Sequence, residues 1–517
     1  MLKRLTLVLA LVLVAGITCA AYAEVQNVKV SGDMEIIAAM RNLELYQGDE
    51  DAITGISTHA DDFLATITRI TISADLTDNV STVVRLLNER YWGKESENTS
   101  GNSADNNTNI DLDLAYVTLK EFLYSPLTLT IGRQELHFGN DMIVGDPDTN
   151  NRVADGSPLA DSTTTPITTR RNADLSARKS FDAIRSTLNY DPVVIDTIFA
   201  KINEGATNAA DDVNLFGVNV GWDVSKKMKV EGYLWQKQIQ RKSNVLPTGG
   251  LDLGMLQNKE RRTNVVGARV SGEPVDALTY SLETAFQFGR WNGNELSPYF
   301  IDSGVLAADA VNGGLATPTV TLKAWALEAF LNYDFKKVKY TPSVGACYAY
   351  FSGDDMPLPG QVTGNDKRRR GWDPMFENQS FGHLHNALFN QTNQHILGLN
   401  ASFKPFQDVT IKGEAYGYWL AKSAQDGTDD GGPITYVVNT VARPDQDLLV
   451  TKSGFLGQEL DVTFTYDYTE DVQFNLLGAV FVPGNVFSSS DANGLLTAAP
   501  RSNNAANEVI GSMKVTF

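Results

Sequence analysis

Arginines recur on strand-like segments in the first part of the chain. Arg69, Arg85, Arg133 and Arg185 each lie in or beside a run in which apolar and polar residues alternate. A guanidinium group can bind a carboxylate through two parallel hydrogen bonds, and a weak, hydrated site can release it again. If the four arginines share one face of a sheet, they predict a ladder of sites for a solute that carries carboxylates.

The stretch IGRQELHFGND, residues 131–141, raises a question of register at Arg133. The preceding strand alternates leucine with threonine, and continued alternation places Arg133 and Glu135 on the apolar face. A bulge at Gly132 would turn both side chains to the polar face, close to Arg185. The alternative is that the stretch lies above the hydrocarbon band of a membrane, where an outward charge costs little.

Further charged candidates lie on polar faces of later segments. They are Asp182, Arg269, Lys412, Glu459 and Asp461. Two interpretations stay open for the whole set. In the first, the basic side chains select an anionic solute. In the second, they pair with carboxylates such as Glu89, Glu135 and Asp182 and with the acidic residues opposite, and they hold the wall rigid.

The five histidines form no recognisable catalytic or metal site. His383 and His385 have a spacing that could bind a metal, but they lie in an irregular stretch without a third ligand at a familiar spacing, so a surface pair is the favoured interpretation. Neither Gly-x-Ser-x-Gly nor His-Glu-x-x-His occurs in the sequence. We therefore predict no enzyme activity, no catalytic residue, no cofactor and no bound metal.

The first 23 residues have the form of a secretory signal peptide. Lys3 and Arg4 precede an apolar run, and Ala21-Tyr22-Ala23 has the small-x-small form of a cleavage site. The residues before Cys19 make a poor lipidation sequence, so we expect simple cleavage before Glu24. Loss of the two cations changes the formal net charge from −19 to about −21. Such acidity argues against a nucleic-acid partner.

Strand-like segments of about ten residues must position these side chains. In the clearest one, Leu460, Val462 and Phe464 alternate with Glu459 and Asp461. Tight turns alternate with long polar connections along the chain, and the segment count comes to about eighteen. The sequence therefore predicts an all-β fold for residues 24–517: one domain, a transmembrane antiparallel β-barrel with short periplasmic turns, long extracellular loops and an aqueous interior.

Several stretches resemble the alginate-export family of outer-membrane proteins. The most specific are Gly132-Arg-Gln-Glu-Leu136 with Phe138-Gly139, and Ser180-Phe-Asp-Ala-Ile-Arg185. The others are Leu215-Phe-Gly-Val-Asn-Val-Gly-Trp222, Leu282-Glu-Thr-Ala-Phe-Gln-Phe-Gly289, Trp325-Ala-Leu-Glu328, Tyr350-Phe-Ser-Gly-Asp354, Gly457-Gln-Glu-Leu-Asp461 and Phe481-Val-Pro-Gly484. Their consistent order over most of the chain indicates family membership.

The resemblance implies a monomeric barrel of eighteen strands that passes a solute across the outer membrane, with an arginine-rich constriction in members that export the polyuronate alginate. The chain ends on the aromatic residue Phe517, which resembles the carboxy-terminal signal that the barrel-insertion machinery reads. The expected partners are this machinery, outer-membrane lipid and lipopolysaccharide, and a periplasmic export partner stays open. The basic run at 367–370 could hold lipopolysaccharide phosphate. A general diffusion porin, the barrel of a porin-cytochrome conduit and a surface adhesin remain the alternatives, because one architecture serves many roles.

Overall fold

The computed structural model describes twelve stretches of the chain. These are residues 27–43, 46–47, 61–93, 110–147, 173–204, 212–241, 259–291, 320–353, 368–422, 454–484, 502–503 and 505–517. The predicted signal peptide, residues 1–23, lies outside them, and so does Lys367 at the start of the basic run.

Eighteen long strands make up most of the described chain. They are β1 (Asn27–Asn42), β2 (Asp61–Thr77), β3 (Val80–Tyr91), β4 (Asp111–Leu119), β5 (Leu127–Glu135), β6 (Ser180–Asn189), β7 (Val193–Asn203), β8 (Val213–Ser225), β9 (Met228–Arg241), β10 (Lys259–Val275), β11 (Leu278–Trp291), β12 (Val320–Asp334), β13 (Ser343–Phe351), β14 (Gln394–Phe406), β15 (Val409–Leu420), β16 (Phe455–Asp467), β17 (Val472–Pro483) and β18 (Ala506–Thr516).

Each strand pairs antiparallel with the next one along the chain, and the sheet closes on itself. β1 pairs with β18 from Asp33 opposite Thr516 to Asn42 opposite Asn507. A closed barrel leaves no strand edge unpaired. The predicted antiparallel barrel of eighteen strands is therefore confirmed.

Five shorter elements accompany the barrel in the stretches that the structure describes. Tyr46–Gln47 pairs with Ser502–Asn503, and Arg368–Arg369 runs parallel to β12. A 3-10 turn spans Ala173–Leu175, and helix α1 spans His383–Leu388. No helix in the described stretches is long and apolar enough to cross a membrane.

The alternation read from the sequence separates an apolar outer face from a polar inner one. On β16, Leu460, Val462 and Phe464 are exposed, whereas Glu459 and Asp461 are 2% and 1% exposed. Strands alternate sides with period two, so one register decides the face of every side chain on a strand. Outward apolar residues suit lipid, and inward carboxylates suit a polar interior.

Aromatic side chains project outward near both ends of the barrel. Trp92, Trp325 and Trp419 lie near the end that carries the long connections, and Trp222 and Tyr333 lie near the end with the short turns; all five are exposed. Such girdles mark the two interfaces of a membrane-spanning barrel. The strands that connect the two ends set the distance between the two aromatic girdles.

Two of the long connections fold into the barrel rather than away from it. We call residues 136–146, which follow β5, the first inward loop, and residues 372–393, which precede β14 and include α1, the second inward loop. Their apolar side chains form one buried core with inward-facing residues of the wall. The prediction of an aqueous interior is therefore wrong for the section of the barrel that these loops occupy.

Aromatic contacts fill this core. The ring of Phe138 lies 5.0 Å from that of Trp235, and the ring of Phe376 lies 6.1 Å from that of Phe181. The ring centroids are in the range of favourable aromatic pairs. Because the loops supply large rings to a wall rich in small residues, they can pack closely against it.

Candidate functional site

The candidate site is the constriction, which we define as the two inward loops and the wall side chains that hold them. Buried carboxylates dominate these wall contacts: Glu283 and Glu328 are fully buried, and Glu459 and Asp461 nearly so. A buried charge is costly unless it accepts hydrogen bonds. Most of these carboxylate oxygens accept theirs from the loops.

The first inward loop is anchored through Asn140. Its backbone N–H donates to Glu283 Oε2 at 2.6 Å, while the Tyr233 hydroxyl donates to Glu283 Oε1 at 2.7 Å. At Gly139, where φ is +65°, an added Cβ would lie 2.6 Å from the Glu283 oxygens. Glycine is therefore required at this position for the carboxylate to reach the loop backbone.

Arg269 on β10 fixes the other side of the same loop. Its Nε donates to Asn140 Oδ1 at 2.6 Å, and its Nη1 donates to Glu231 Oε2 at 2.6 Å. The predicted wall cation is thus bound to both a loop amide and a wall carboxylate. It positions the first inward loop.

The second inward loop is anchored through α1. Glu459 accepts hydrogen bonds from the backbone N–H groups of Leu384 and His385, at 2.7 and 2.9 Å, and from the Tyr418 hydroxyl at 3.0 Å. Asp461 accepts a longer one, at 3.3 Å, from the His383 N–H. Both predicted acidic candidates therefore hold a loop.

Direct contacts join the two loops. Gln379 donates to Asn140 O at 2.6 Å and to Glu328 Oε2 at 2.8 Å. The Gly145 N–H donates to Phe376 O at 2.7 Å, and the Phe376 N–H donates to Ile143 O at 3.0 Å. Because the loops share backbone hydrogen bonds, displacement of one would disturb the other.

His385 lies at the centre of this packing. Its ring stacks on Tyr418 with centroids 4.3 Å apart, and its Nε2 lies 2.6 Å from Gln394 Oε1. Burial lowers the pKa of His385 to about 4, so the ring is neutral at physiological pH. The expectation of two surface histidines in an irregular stretch is wrong for His385, which is buried in a helix.

No metal-binding arrangement of three or more His, Cys, Asp or Glu side chains occurs among the residues that the structure describes. His137 in the first inward loop has instead a single carboxylate partner, with Nδ1 3.0 Å from Asp141 Oδ2. That hydrogen bond raises the pKa of His137 above its ordinary value.

The arginines of the predicted ladder face carboxylates. Arg69 on β2 binds Asp33 on β1 through two nitrogens, with its Nη2 2.9 Å from Asp33 Oδ2. Arg85 on β3 bridges Asp113 and Glu135. Arg69 alternates with the outward residues Ile70 and Ile72. Arg85 lies opposite Thr71, on the same face as Arg69, so both arginines line the interior. The structure thus brings Arg85 and Glu135 together.

Arg185 lies between the wall and the first inward loop. Its Nε is 2.8 Å from Asp196 Oδ1, and its guanidinium carbon is 5.4 Å from the centroid of Phe138. The neighbouring Ile184 is exposed outward, so Arg185 faces the interior. A third of its side chain is exposed, which leaves part of the guanidinium group accessible to a solute.

Arg133 does not join Arg185. It bonds to Asp182 at 3.1 Å, in an unbroken β5–β6 register in which the outward residues Ile131 and Ile184 form the next outward pair. Asp182 lies between the buried residues Phe181 and Ala183, so Arg133 and Asp182 share the outward face. Alternation does not hold to the end of β5, because Glu135 bonds to Arg85 on the inner face. The structure fits the alternative interpretation, in which the stretch lies at the barrel rim beyond the hydrocarbon band.

Gly132 nevertheless has the unusual backbone that the sequence predicts. Its φ is +124°, and an added Cβ would lie 2.1 Å from the carbonyl oxygen of Ala115. The irregularity is accommodated by Gln134, whose side-chain amide donates to the carbonyl oxygens of Thr130, Gly132 and Ala183. The glycine thus lets Gln134 lie against the sheet instead of re-aiming Arg133.

The remaining predicted residues are placed as follows. Lys412 lies 2.7 Å from Glu414, two residues along its own strand. Glu89, expected to pair with an arginine, instead accepts hydrogen bonds from the Ser176 hydroxyl and the Ala177 N–H. Lys412 therefore has a carboxylate neighbour on its own strand, whereas Glu89 is held by neutral donors of residues 176–177.

Sequence reasoning missed Asn140 and Gln379, which link the wall to both loops. A signal was present: Met142, Ile143 and Val144 form an apolar run inside a connection that was otherwise polar. Phe376 and Phe381 give a similar signal in the second connection. Apolar residues in a loop that faced water would be unfavourable, so such runs indicate burial.

Solved structures of bacterial proteins match most of the chain at low sequence identity, among them the outer membrane protein OpdK. OpdK of Pseudomonas aeruginosa is 10% identical, with 95% of this chain and 99% of that chain covered and a TM-score of 0.49. OccAB1 of Acinetobacter baumannii is 9% identical, with 96% and 99% covered and a TM-score of 0.48. OccK2 (OpdF) of Pseudomonas aeruginosa in complex with glucuronate is 9% identical, with 95% and 99% covered and a TM-score of 0.48.

No curated protein sequence matches the chain. The sequence profile described as alginate export, however, matches residues 42–494, which span nearly the whole barrel. That span includes both inward loops and all ten residues predicted for the pore wall. The chain belongs to the alginate-export family of outer-membrane β-barrel proteins.

Proposed function

We propose that this protein is an integral outer-membrane channel that passes a hydrophilic, anionic solute, a polyuronate or sugar acid, through its charged interior. The observation that carries the proposal is the closed barrel with guanidinium groups on its inner wall. In this placement the short turns face the periplasm and the long connections face the outside, as is general for outer-membrane barrels.

Exposure of the inner-wall arginines supports the choice of an anionic solute. The side chains of Arg69, Arg85 and Arg185 are 21%, 14% and 33% exposed, and each is bound to a wall carboxylate. A solute carboxylate can take the place of the wall carboxylate on the accessible side of such a pair. Exchange of one carboxylate for another keeps binding weak enough for passage.

Planar-bilayer conductance of the purified barrel tests the proposal. We expect a reversal potential that indicates preference for anions, and block of the current by added polyuronate but not by a neutral glucan of similar length. Cation preference together with no block by polyuronate would contradict it. An intact barrel that inserts but gives no current would contradict the channel itself.

A general diffusion porin is the second candidate, and one observation favours it. Each inner-wall arginine of the predicted ladder has a carboxylate partner, so the wall presents both signs of charge. Such a porin would conduct small ions of both signs with little preference, and polyuronate would not block it. The same recording therefore separates the two candidates.

The barrel of a porin-cytochrome conduit fits the structure less well. A sheath needs an interior wide enough for a folded protein. Here the first and second inward loops occupy the interior and are bonded to the wall and to each other. We infer that the protein acts as a channel for a solute and has no enzyme activity.

A further inference from the structure

Positive and negative side chains are unevenly distributed around the short-turn end of the barrel. Most of the turns at this end carry a carboxylate, at Asp78, Glu121, Asp191, Asp276, Asp408, Glu470 and Asp471. Two turns are basic instead, the β8–β9 turn with Lys226 and Lys227, and residues 335–342 between β12 and β13. In a chain with a formal net charge of −19, a local excess of lysine is unexpected.

We call the exposed lysines of this sector the lysine arc. They are Lys226, Lys227, Lys336, Lys337, Lys339 and Lys404. They lie in the β8–β9 and β12–β13 turns and on β14, within one run of neighbouring strands from β8 to β14, and the β10–β11 turn between the two basic turns carries Asp276. The arc therefore faces one side of the molecule and does not encircle the mouth of the channel.

Most lysines of the arc lie beyond ion-pair distance of any described carboxylate, although Lys227 acts on Asp276 at longer range. Lys336 is paired with Asp276 at 2.9 Å and with Glu273 at 3.7 Å. The other five have no ion pair with any carboxylate in the stretches that the structure describes. Lys339 lies instead 4.6 Å above the ring of Tyr340. The arc thus presents several ammonium groups to whatever surrounds this end of the barrel.

Exposed apolar side chains lie directly beside the lysines. Val338, Tyr340 and Phe406 are 50%, 47% and 69% exposed. They continue the outward, lipid-facing columns of the wall, because Leu331 on β12 and Phe403 on β14 are exposed on the same outer surface. Apolar groups that lie next to lysines at the end of a membrane-spanning wall are typical of the headgroup region.

The turn that carries these groups has a fixed conformation. The Lys404 N–H donates to Tyr340 O at 2.8 Å, and the Phe335 N–H donates to Pro342 O at 2.8 Å. Tyr340 and Thr341 have φ values of +69° and +40°, which non-glycine residues rarely adopt. A turn that holds two such residues in succession keeps its side chains in a set arrangement, and that lowers the entropic cost of binding.

We propose that the lysine arc binds the phosphate groups of anionic phospholipids in the periplasmic leaflet of the outer membrane. The inference rests on the proposed placement in that membrane. A lysine ammonium is a compact charge that suits a phosphate, and its long side chain lets it reach the headgroups while the rings stay at the edge of the hydrocarbon. An acidic periplasmic protein is the less favoured partner, because the rings lie on the lipid-facing side.

The test compares lipid retention by the full-length barrel in nanodiscs made from phosphatidylethanolamine with a minor fraction of phosphatidylglycerol. Native mass spectrometry of the released protein counts the lipids of each class that remain bound. We expect wild type to retain phosphatidylglycerol in preference to phosphatidylethanolamine. In the triple variant Lys337→Ser, Lys339→Ser, Lys404→Ser, the ratio of retained phosphatidylglycerol to phosphatidylethanolamine should fall about tenfold. Each lysine contributes separately to the attraction between the protein and an anionic surface.

A matched variant controls for net charge. Lys29→Ser, Lys120→Ser, Lys514→Ser removes the same number of lysines near the short-turn end, away from the arc, and should retain the wild-type preference. Equal losses in the two triple variants, or no preference in wild type, would overturn the proposal. No preference in wild type, with an acidic protein captured only by a barrel with an intact arc, would point to the protein partner instead.

Conductance of the same preparations separates this inference from the proposed function. A triple arc variant that conducts like wild type but loses the lipid preference supports the lipid site alone. Wild-type barrels that show the lipid preference but no current would contradict the channel and leave the lipid site standing. Restoring the positive charge with Lys→Arg at the three arc positions should restore the preference, which a merely disrupted turn would not do.

Discussion

Arg185 and Arg133 carry the same charged group on neighbouring strands, but they face opposite sides of the wall. Arg185 points inward, between Asp196 and Phe138. Arg133 points outward and is bonded to Asp182. Arg133 lies opposite Asp182, three residues from Arg185, and period-two alternation reverses the face over any odd number of residues.

Charge reversal at these two positions should therefore have different effects on ion selectivity. Arg185→Glu should reduce the anion-to-cation permeability ratio by roughly two- to fivefold, because it replaces a positive by a negative charge beside the conducting path. Arg133→Glu changes the net charge equally but on the outer face, and it should leave the reversal potential unchanged. Reversal potentials under a salt gradient measure both, and equal shifts in the two variants would refute this placement.

Two histidines of the inward loops should titrate in opposite directions. The hydrogen bond to Asp141 raises the pKa of His137, so its charged form stabilises the first inward loop below pH 6.5, and this stabilisation is lost as the pH rises through the raised value. Burial lowers the pKa of His385 to about 4. The second inward loop therefore loses stability as the pH falls from about 6.5 towards 4, by roughly 3 kcal/mol at the lower limit.

Histidine Cε1 chemical shifts in labelled protein, followed from pH 8 to pH 4, check both statements. The pKa of His137 should lie above the ordinary histidine value and should fall in Asp141→Asn, which removes the hydrogen bond that raises it. His385 should stay neutral down to about pH 5. An ordinary titration of His385 near pH 6.5 would show that the second inward loop is undocked in solution.

At the scale of elements, buried carboxylates connect the loops to the wall. Glu459 accepts two backbone N–H groups of α1, and Glu283 accepts one from the first inward loop. A six-residue helix has little stability of its own. The position of α1 therefore depends on these contacts and on the apolar core below it.

Glu459→Gln should loosen α1. A neutral amide is a weaker acceptor than a carboxylate and can offer only one oxygen, so docking should weaken by about 1–3 kcal/mol. Hydrogen exchange at the amides of Leu384 and His385 should accelerate roughly ten- to a hundredfold. Glu470→Gln, at an exposed short turn, is the matched control and should leave exchange at α1 unchanged; equal effects would argue against a specific anchor.

At the scale of the whole molecule, the wall and the constriction are held by different interactions. The wall is a closed cycle of backbone hydrogen bonds between sequential strands. The constriction is held by side chains and by loop-to-loop contacts. Removal of an inward loop should therefore leave the barrel intact and widen the path through the barrel.

Replacement of residues 372–393 by a short glycine-serine linker tests this separation. The variant should remain folded. In a denaturing gel, the unheated sample should migrate differently from the heated one, as folded barrels do. Its single-channel conductance should rise about threefold, because an empty barrel of this strand number encloses an aqueous channel. A variant that folds but conducts like wild type would show that the second inward loop does not limit the current.

Much of the wall was predictable because the strands and the faces of their side chains depend on residues that are close along the chain. Alternation within one strand decides which side chains face lipid, as on β16, and short turns between segments decide the strand order. The partners of the inner-wall arginines were harder to predict. Asp33 lies 36 residues from Arg69, and its pairing depends on the register between strands, which alternation alone leaves open.

The sequence alone determined about eighteen alternating strands, the faces of most wall residues and the need for glycine at 132, because each depends on residues close along the chain. Only the tertiary structure decided that the two connections fold inward, that Arg133 faces outward and that Glu283 and Glu459 hold loop backbone. Asn140 and Glu283 are separated by 143 residues. Such contacts form across the closed barrel, where no short-range pattern in the sequence records them.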